Sequence, residues 1–358
     1  MFERQWFSPK SQCGLHTRYL RMEELFQEQR YEECLAQILE FPETMPKEYI
    51  KRQLLRVYHA MKRPTNKAIR VFSDKFWPGF CLEKSGIWQI VQNAASITNS
   101  KVVKTDDPRM AEICFESCFP SRSPQWIGRS TKVLVLGENV RPSYSSYDYS
   151  FTTDLDNYMK RNSYYPVWIE HVFSSTQDLP PGSEFKVRIA SLANKYALES
   201  LEWKDRRNCV VFVGNNYEPL RVSAIRRLVE AGIKVDVYGS QTRPLENKFS
   251  VYGISKVVLC PENSYHPGYT TEKILDASLS GANMIYWGGE ADELKDLFGS
   301  HVHIWKPQQN NIIHVKRLMC NEPGPSHTAK AAQYFTDQYQ VASQAATDLM
   351  VRVLSPYA

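Results

Sequence analysis

A strand, a polar loop and the start of a helix follow one another in Lys256-Val-Val-Leu-Cys-Pro-Glu-Asn-Ser264 and Gly268-Tyr-Thr-Thr-Glu-Lys-Ile-Leu-Asp276. The apolar run from Val257 to Cys260 is long enough for one buried strand. After the loop, Thr270 or Thr271 is well placed to cap a helix, because a hydroxyl accepts hydrogen bonds from free backbone N–H groups. The pattern is that of a strand–loop–helix unit in an α/β sheet.

The helix of this unit has one polar and one apolar side. The apolar side is predicted to pack on the sheet through Ile274, Leu275 and Ser278. The polar side places four groups at i, i+3, i+4 and i+7: Tyr269, Glu272, Lys273 and Asp276. One interpretation is a solvated helix face with ordinary ion pairs. The other is a ligand site, because phosphorylated ligands bind at helix N-termini beyond the carboxyl ends of parallel strands.

Composition limits the class of protein. The chain has 358 residues, 42% of them hydrophobic and 23% charged, which is enough for two domains with their own cores. Its net charge of +5 comes from scattered basic residues, which argues against a nucleic-acid surface but suits an anionic nucleotide. No stretch approaches the ~20 apolar residues of a membrane helix.

Several features favour a cytoplasmic protein. The N-terminus lacks the apolar core of a signal peptide, and no Asn-x-Ser/Thr sequon occurs. The eight cysteines form neither Cys-x-x-Cys pairs nor a compact disulfide framework, so reduced thiols are expected. A Golgi location is expected only if an N-terminal anchor has been removed. The oligomeric state is not indicated.

The chain divides into four predicted parts. Residues 1–65 form a helical extension, predicted as a hairpin broken at Phe41–Pro46. Residues 66–180 form a first α/β domain, which ends near a Pro/Gly-rich boundary at 177–183. Its predicted strands are 69–72, 101–104, 113–115, 133–136 and 167–169. Residues 181–327 form a second α/β domain and residues 328–358 a C-terminal helix. The second domain has predicted strands 210–213, 234–237, 257–260, 284–286 and 302–305, with helices at about 184–200, 219–231, 270–280 and 290–298.

The opening stretch resembles the signature of the α1,3/4-fucosyltransferases, glycosyltransferase family 10, and especially their soluble bacterial members. That signature is Phe-Glu-Asn-Ser, a few residues, then Tyr-Val-Thr-Glu-Lys. Here Pro261 stands in place of the Phe and Thr270 in place of the Val. The resemblance covers residues 68–325 in broken blocks and is strongest from 256 to 289, which ends Met284-Ile-Tyr-Trp-Gly-Gly289.

The resemblance implies a fold and a set of ligands. The fold is the GT-B type, with two Rossmann-like domains facing a cleft, plus the N-terminal helical extension and the C-terminal helix. The donor is GDP-β-L-fucose and the acceptor a glycan containing galactose and N-acetylglucosamine. No metal or other cofactor is obligatory, although a divalent metal could stimulate.

Glu138 is the predicted general base. It follows the strand 133–136, and Gly137 lets the backbone turn tightly there. The segment Gly137-Glu-Asn-Val-Arg-Pro142, followed by Asp148-Tyr149, resembles the first-domain motif in which a glutamate is the proposed base. An exposed acid in a strand-end turn is the alternative. Arg141 and Asp148 are expected to orient this loop.

The diphosphate is assigned to the second domain. Phe212-Val-Gly-Asn-Asn216 resembles a family segment whose downstream arginine contacts the donor, which here is Arg221. Arginine suits phosphate because its fork donates two parallel hydrogen bonds. Lys256 and Lys273 would add charge, and Asn215 belongs to the same segment. The segment Val235-Asp-Val-Tyr-Gly239 resembles one that borders the nucleobase, so Asp236 either meets guanine or caps a turn, with Gly239 beside it.

The sugar hydroxyls are assigned by the same resemblance to Asn263, Tyr269 and Glu272. Glu262 either joins them or holds the loop. Asp154-Leu-Asp156 fits the Asp-x-Asp metal motif of another transferase architecture, but it is interpreted as a surface pair, and no metal ligands are assigned.

The predicted function is therefore inverting transfer of L-fucose to the 3-hydroxyl of N-acetylglucosamine or glucose in a β-galactoside, as in Lewis antigen synthesis and protein glycosylation. Two alternatives remain. One is a GT-B transferase that uses another nucleotide sugar, and the other is a glycan-binding relative without turnover. The choice between α1,3 and α1,4 linkage stays open.

Overall fold

The computed structural model describes residues 12–41, 45, 47–62, 67–121, 130–141, 146–215, 218–240, 242–324 and 326–358. Two compact units are present. Unit 1 comprises Met1–Thr152, Asp156–Tyr164 and Ser343–Ala358, and unit 2 comprises Thr153–Leu155 and Tyr165–Ala342. Pro142 and Asn216, which belong to the quoted motifs, lie outside the described residues.

Unit 1 begins with three helices, α1 (Gln12–Gln27), α2 (Tyr31–Leu39) and α3 (Lys47–Met61). The first two were predicted as one continuous helix. The chain instead turns at Gln29, whose positive φ of 59° ends the first helix. The remaining elements of the unit are β1 (Ile69–Asp74), α4 (Gly86–Ile97), β2 (Val102–Lys104), β3 (Ile113–Glu116), β4 (Thr131–Val135), β5 (Tyr149–Thr152) and β6 (Asn162–Tyr164).

The strands of unit 1 form one parallel sheet in the order β2-β1-β3-β4-β5-β6. Its central strands are buried along most of their length, as expected for a sheet covered on both sides. Four of the predicted strands are confirmed, whereas β5 and β6 were not predicted. The predicted strand at 167–169 is wrong, because Trp168 begins a helix, α5 (Trp168–Ser175), in unit 2.

The N-terminal helices are part of unit 1, although they were predicted as an appendage. The carboxylate of Asp148, just before β5, accepts hydrogen bonds from Arg52 and from Gln53 of α3. Arg56 of the same helix pairs with Glu23 of α1 at 2.7 Å. These groups are almost completely buried, so the helices share one polar core with the sheet.

Unit 2 is a second parallel sheet in the order β11-β10-β9-β7-β8. Every predicted strand is confirmed. After α5, the elements are α6 (Phe185–Glu199), β7 (Arg207–Val213), α7 (Pro219–Glu230), β8 (Val235–Tyr238), α8 (Phe249–Tyr252), β9 (Ser255–Leu259), α9 (Glu272–Leu279), β10 (Asn283–Tyr286), α10 (Ala291–Phe298), β11 (Val302–Ile304), α11 (Ile312–Cys320) and α12 (His327–Leu354). The residues of α12 from Ser343 onward belong to unit 1.

The core of unit 2 lies between this sheet and the helices that follow its strands. It is built from Val210, Phe212, Leu228, Val257, Leu259, Ile285 and Val315. In both units the strands end in loops at one edge of a parallel sheet, which is where ligands bind in folds of this kind. No helix in the described ranges has the length and apolarity needed to cross a membrane.

Candidate functional site: the carboxyl edge of the second sheet

The loops after β9 and β10 contact each other closely. The N–H of Glu262 donates to the carbonyl of Trp287 at 2.8 Å. A side chain on Gly289 would place its Cβ only 2.2 Å from the carbonyl oxygen of His266, so only glycine fits there. The Trp-Gly-Gly sequence after β10 therefore determines where the Glu-Asn-Ser loop lies.

Glu262 holds the loop to the start of α9. Its side chain is fully buried and accepts hydrogen bonds from the N–H and the hydroxyl of Thr271, at 2.8 and 2.7 Å. Burial raises the pKa of the Glu262 carboxyl, although Lys273, 3.3 Å away, partly opposes this. Of the two roles left open for Glu262, the geometry favours the loop-holding one.

The start of α9 differs in detail from the prediction. Thr271 does occupy the N-cap position, but its side chain makes no capping hydrogen bond with the described helix and donates to Glu262 instead. The first N–H groups of α9, which receive no capping hydrogen bond from Thr271, carry the positive end of the helix dipole. Such an end suits an anion.

Arg221 of α7 lies beside the same loop. It is 2% exposed, and its Nη2 donates to the carbonyl of Pro261 at 2.8 Å and to Oδ1 of Asn263 at 2.6 Å. Burial lowers the pKa of its guanidinium group, more than Glu262 and Tyr269 raise it. The guanidinium group is thus hydrogen-bonded to a backbone carbonyl and a side-chain amide, close to the start of α9.

The polar side of α9 is not a solvated face. Tyr269 and Asp276 are each 1% exposed, whereas Glu272 and Lys273 keep part of their side chains in solvent. Lys273 donates to the hydroxyl of Thr271 at 2.8 Å and lies 3.6 Å from Glu272. The structure therefore brings together Arg221, Asn263, Tyr269, Glu272 and Lys273, five residues predicted from the sequence.

Lys248 and His171 complete this charge cluster and were not predicted. The Lys248 ammonium lies 3.0 Å from Asp276 and 3.4 Å from Glu272, and Nε2 of His171 lies 3.0 Å from Asp276. Burial alone would raise the pKa of Glu272, but Lys248, Lys273 and His171 lower it well below its ordinary value. Glu272 is therefore ionised at neutral pH. No sequence spacing relates His171 on α5 to α9.

Asn215 and Gly239 lie together in the loops after β7 and β8. Oδ1 of Asn215 accepts from the N–H of Ser240 at 2.7 Å. A Cβ on Gly239 would meet the carbonyl oxygen of Gly214 at 2.4 Å, so glycine is required by this close approach. Both residues are at the carboxyl edge of the sheet, as predicted.

Two predicted residues do not join this edge. Asp236 lies inside β8, with Cys209 at 3.6 Å and Arg207 at 3.9 Å, toward the amino end of the neighbouring strand. It neither caps a turn nor lies in the loop with Gly239. Lys256 is near the start of β9, and its ammonium lies 5.4 Å from the ring centre of Trp203. Asp236 and Lys256 both lie near the start of their strands, away from the loops at the carboxyl edge. The spacing of the motifs did not reveal this.

In unit 1, Glu138 follows β4 at the carboxyl edge of the first sheet. It is half-buried, and its carbonyl accepts from the N–H of Val140 at 2.8 Å. Gly137 packs against Trp77, because a Cβ there would lie 2.9 Å from the indole ring. Asp148 does not orient this loop, contrary to the prediction. It precedes β5 at the opposite edge, where Arg52 and the N–H of Lys132 hold it.

The Asp-x-Asp segment is only partly a surface pair. Asp156 is exposed, but Asp154 is 4% exposed and lies 3.7 Å from Nε2 of His266. Within the described residues, no group of three or more His, Cys, Asp or Glu side chains is arranged to hold a metal ion.

Comparisons with known proteins point to one class. No model of a known protein family matches the chain. An α1,3-fucosyltransferase, FucT, from Helicobacter pylori is 28% identical over 215 residues, which is 52% of this chain and 44% of that protein. The match thus spans less than half of the relative's length.

The chain is also similar to solved structures. A crystal structure of an α1,3-fucosyltransferase with GDP superposes with a TM-score of 0.50 at 17% identity, over 81% of this chain and 83% of that one. One with GDP-fucose gives a TM-score of 0.47 at 18% identity, over the same shares.

The two parallel α/β units and the first of these structural matches define a glycosyltransferase fold of the GT-B type. Within that class, the curated relative agrees with the resemblance to the α1,3-fucosyltransferases that the sequence motifs indicate. The solved structure shows that the fold is shared.

Proposed function

We propose that the protein is an inverting fucosyltransferase that transfers L-fucose from GDP-β-L-fucose to a β-galactoside acceptor. The observation that carries this proposal is the buried Arg221, fixed by Pro261 and Asn263 next to Lys273 and the start of α9. Cations and a helix N-terminus stabilise the negative charge that grows on a departing diphosphate. The similarity to the H. pylori α1,3-fucosyltransferase supports fucose as the transferred sugar.

The sugar of the donor is assigned to the polar groups beside this diphosphate site. Glu272 is ionised and accepts hydrogen bonds from the sugar hydroxyls, while Tyr269 and Asn263 contribute the other polar contacts. Asn215 and Gly239, in the neighbouring loops, border the nucleoside. Lys256 and Asp236 have no part in this proposal, because they lie away from the loops.

Glu138 acts as the general base in unit 1. It removes the proton from the 3-hydroxyl of N-acetylglucosamine or glucose, and that oxygen attacks the anomeric carbon of fucose in one displacement. The bond to GDP breaks as the new bond forms, so the β-linked donor gives an α-linked product. The product with an N-acetyllactosamine acceptor is a Lewis-type trisaccharide.

The variant Glu138→Gln tests this assignment. An amide keeps the shape of the side chain but cannot accept the proton, so we expect transfer to N-acetyllactosamine to fall at least ~1,000-fold. GDP affinity, measured by calorimetry, should change less than twofold. The control Asp156→Asn removes an exposed acid of the same unit and should leave both values unchanged. Full activity in Glu138→Gln would disprove the role of Glu138.

Nucleotide titration tests the choice of donor. GDP should bind the wild-type protein at least ~10-fold more tightly than UDP or dTDP. Preference for a pyrimidine nucleotide would favour a GT-B transferase with another donor. Tight GDP binding without any transfer product would favour a non-catalytic glycan-binding protein.

A further inference from the structure

Four aromatic rings gather at the carboxyl edge of the sheet in unit 1. This aromatic cluster consists of Phe76, Trp77, Phe80 and Phe119. Phe76 and Phe80 are stacked with ring centres 3.9 Å apart, and the ring of Trp77 meets Phe80 edge-on at 4.9 Å and Phe119 at 6.2 Å. Three of the rings come from the loop after β1 and the fourth from the loop after β3.

Hydrogen bonds fix these two loops to each other. The N–H of Phe119 donates to the carbonyl of Lys75 at 3.0 Å, and the N–H of Ser117 donates to the carbonyl of Asp74 at 3.2 Å. The Ser121 hydroxyl also donates to the Asp74 carboxylate at 2.6 Å. The position of Trp77 is therefore set before any ligand arrives, which lowers the entropic cost of binding.

Trp77 is also placed against the loop of the proposed base. Its indole ring touches the backbone at Gly137, the residue directly before Glu138. The ring is only half-buried, so part of it is accessible to a ligand. The carboxylates of Asp74 and Glu138 lie in the same set of strand-end loops, and carboxylates accept hydrogen bonds from sugar hydroxyls.

We propose that Trp77 is the stacking surface for a pyranose ring of the acceptor and thereby sets acceptor affinity. The C–H groups on one face of a pyranose are weakly positive, and they pack on the negative face of an aromatic ring. This inference rests on the proposed function, since it takes the acceptor to be the sugar that Glu138 deprotonates. Stacking on a ring in contact with Gly137 would hold that sugar close to Glu138.

The test compares Trp77→Leu, which keeps apolar volume but removes the aromatic face, with Trp77→Phe, which keeps a smaller face. At saturating GDP-fucose, the KM for N-acetyllactosamine should rise about tenfold in Trp77→Leu and about threefold in Trp77→Phe. The KM for GDP-fucose and the slow hydrolysis of GDP-fucose without acceptor should stay within twofold. The control Trp203→Leu removes a half-buried tryptophan from unit 2 and should change neither KM.

A binding measurement separates this inference from the proposed function. Saturation-transfer NMR in the presence of GDP detects whether N-acetyllactosamine binds, whether or not any product forms. Acceptor binding that is lost in Trp77→Leu supports the stacking role even if the wild-type protein gives no product. Acceptor binding equal to wild type in Trp77→Leu overturns it. A parallel rise in the KM for GDP-fucose would also overturn it, because that result shows a general disturbance of the fold.

Discussion

Each of the two α/β units buries an arginine, and the surroundings of the two guanidinium groups differ. Arg56 in unit 1 donates to both carboxylate oxygens of Glu23, at 2.7 and 3.2 Å, and lies 3.8 Å from Asp148. Arg221 in unit 2 donates to a backbone carbonyl and to a side-chain amide.

The pKa values of the two arginines shift in opposite directions. Burial alone would lower the pKa of Arg56, but Glu23 and Asp148 raise it well above its ordinary value. For Arg221, burial is the dominant effect and the pKa is lowered. A buried cation is costly unless an anion compensates it. Arg56 is compensated by carboxylates of the fold. Arg221 is held by Pro261 and Asn263 in the loop where we propose that the diphosphate binds.

The largest expected effect concerns the stability of unit 1. The variant Arg56→Met leaves Glu23 as a buried charge, so we expect the free energy of unfolding to fall by about 3–5 kcal/mol. Urea unfolding followed by circular dichroism measures this. The control Arg21→Met breaks an exposed pair with Glu24 on the same helix as Glu23 and should cost about 0.5 kcal/mol or less. Equal losses in the two variants would remove the distinction between a compensated buried cation and a surface one.

Glu112, which precedes β3, is a second buried charge of unit 1 that is compensated by its neighbours, and acid titration tests it. Burial alone would raise the pKa of its carboxyl, but His59 and Arg70 lower it to about 2. Because the pKa is lower in the folded protein, the resulting stability is present above about pH 4.5 and is lost as the pH falls toward 2. The loss amounts to about 3 kcal/mol, since each pKa unit corresponds to about 1.4 kcal/mol.

The variant Glu112→Gln should therefore be less stable than wild type at pH 7, and the difference should shrink as the pH falls from 4.5 to 2. Urea unfolding at a series of pH values measures it. The control Glu32→Gln changes an exposed glutamate on α2 and should leave the wild-type pH profile unchanged. A constant difference between Glu112→Gln and wild type at every pH would contradict the assignment.

The third prediction concerns the ligand-binding role of Arg221. A lysine keeps the charge but cannot reach Pro261 and Asn263 with the same fork, so we expect Arg221→Lys to weaken GDP binding about 50-fold, or about 2.3 kcal/mol. Calorimetry with GDP gives this value. The control Arg226→Lys changes an exposed arginine on the same helix and should alter GDP affinity less than twofold. Similar GDP affinities in the two variants would contradict the contrast drawn between Arg56 and Arg221.

Much of the fold was predictable because its strands are apolar runs. All five strands of unit 2 and four of the six in unit 1 were found in this way. β5 and β6 were missed because they are three to four residues long and rich in polar side chains, such as Ser150 and Asn162, which bond to each other at 2.9 Å. The apolar segment after Val167 was taken for a strand, although a short apolar run fits a buried helix equally well.

The site was predictable where the residues lie close together in the sequence. Asn263, Tyr269, Glu272 and Lys273 fall within eleven positions, and one strand–loop–helix unit brings them to one place. Lys248 and His171 could not be predicted, because their only relation to α9 is packing between separate elements. Lys256 and Asp236 were assigned by motif position, which does not state at which end of a strand a side chain lies.

The sequence by itself determined the two parallel sheets, the loop–helix unit with its charged groups and the resemblance to fucosyltransferases, because apolar periodicity and local motifs are written along the chain. Only the tertiary structure decided which partners surround each buried charged group. Arg56 and Arg221 look alike as residues on amphipathic helices. Their difference arises from distant partners, since the electrostatic cost of a buried charge depends on what surrounds it in space.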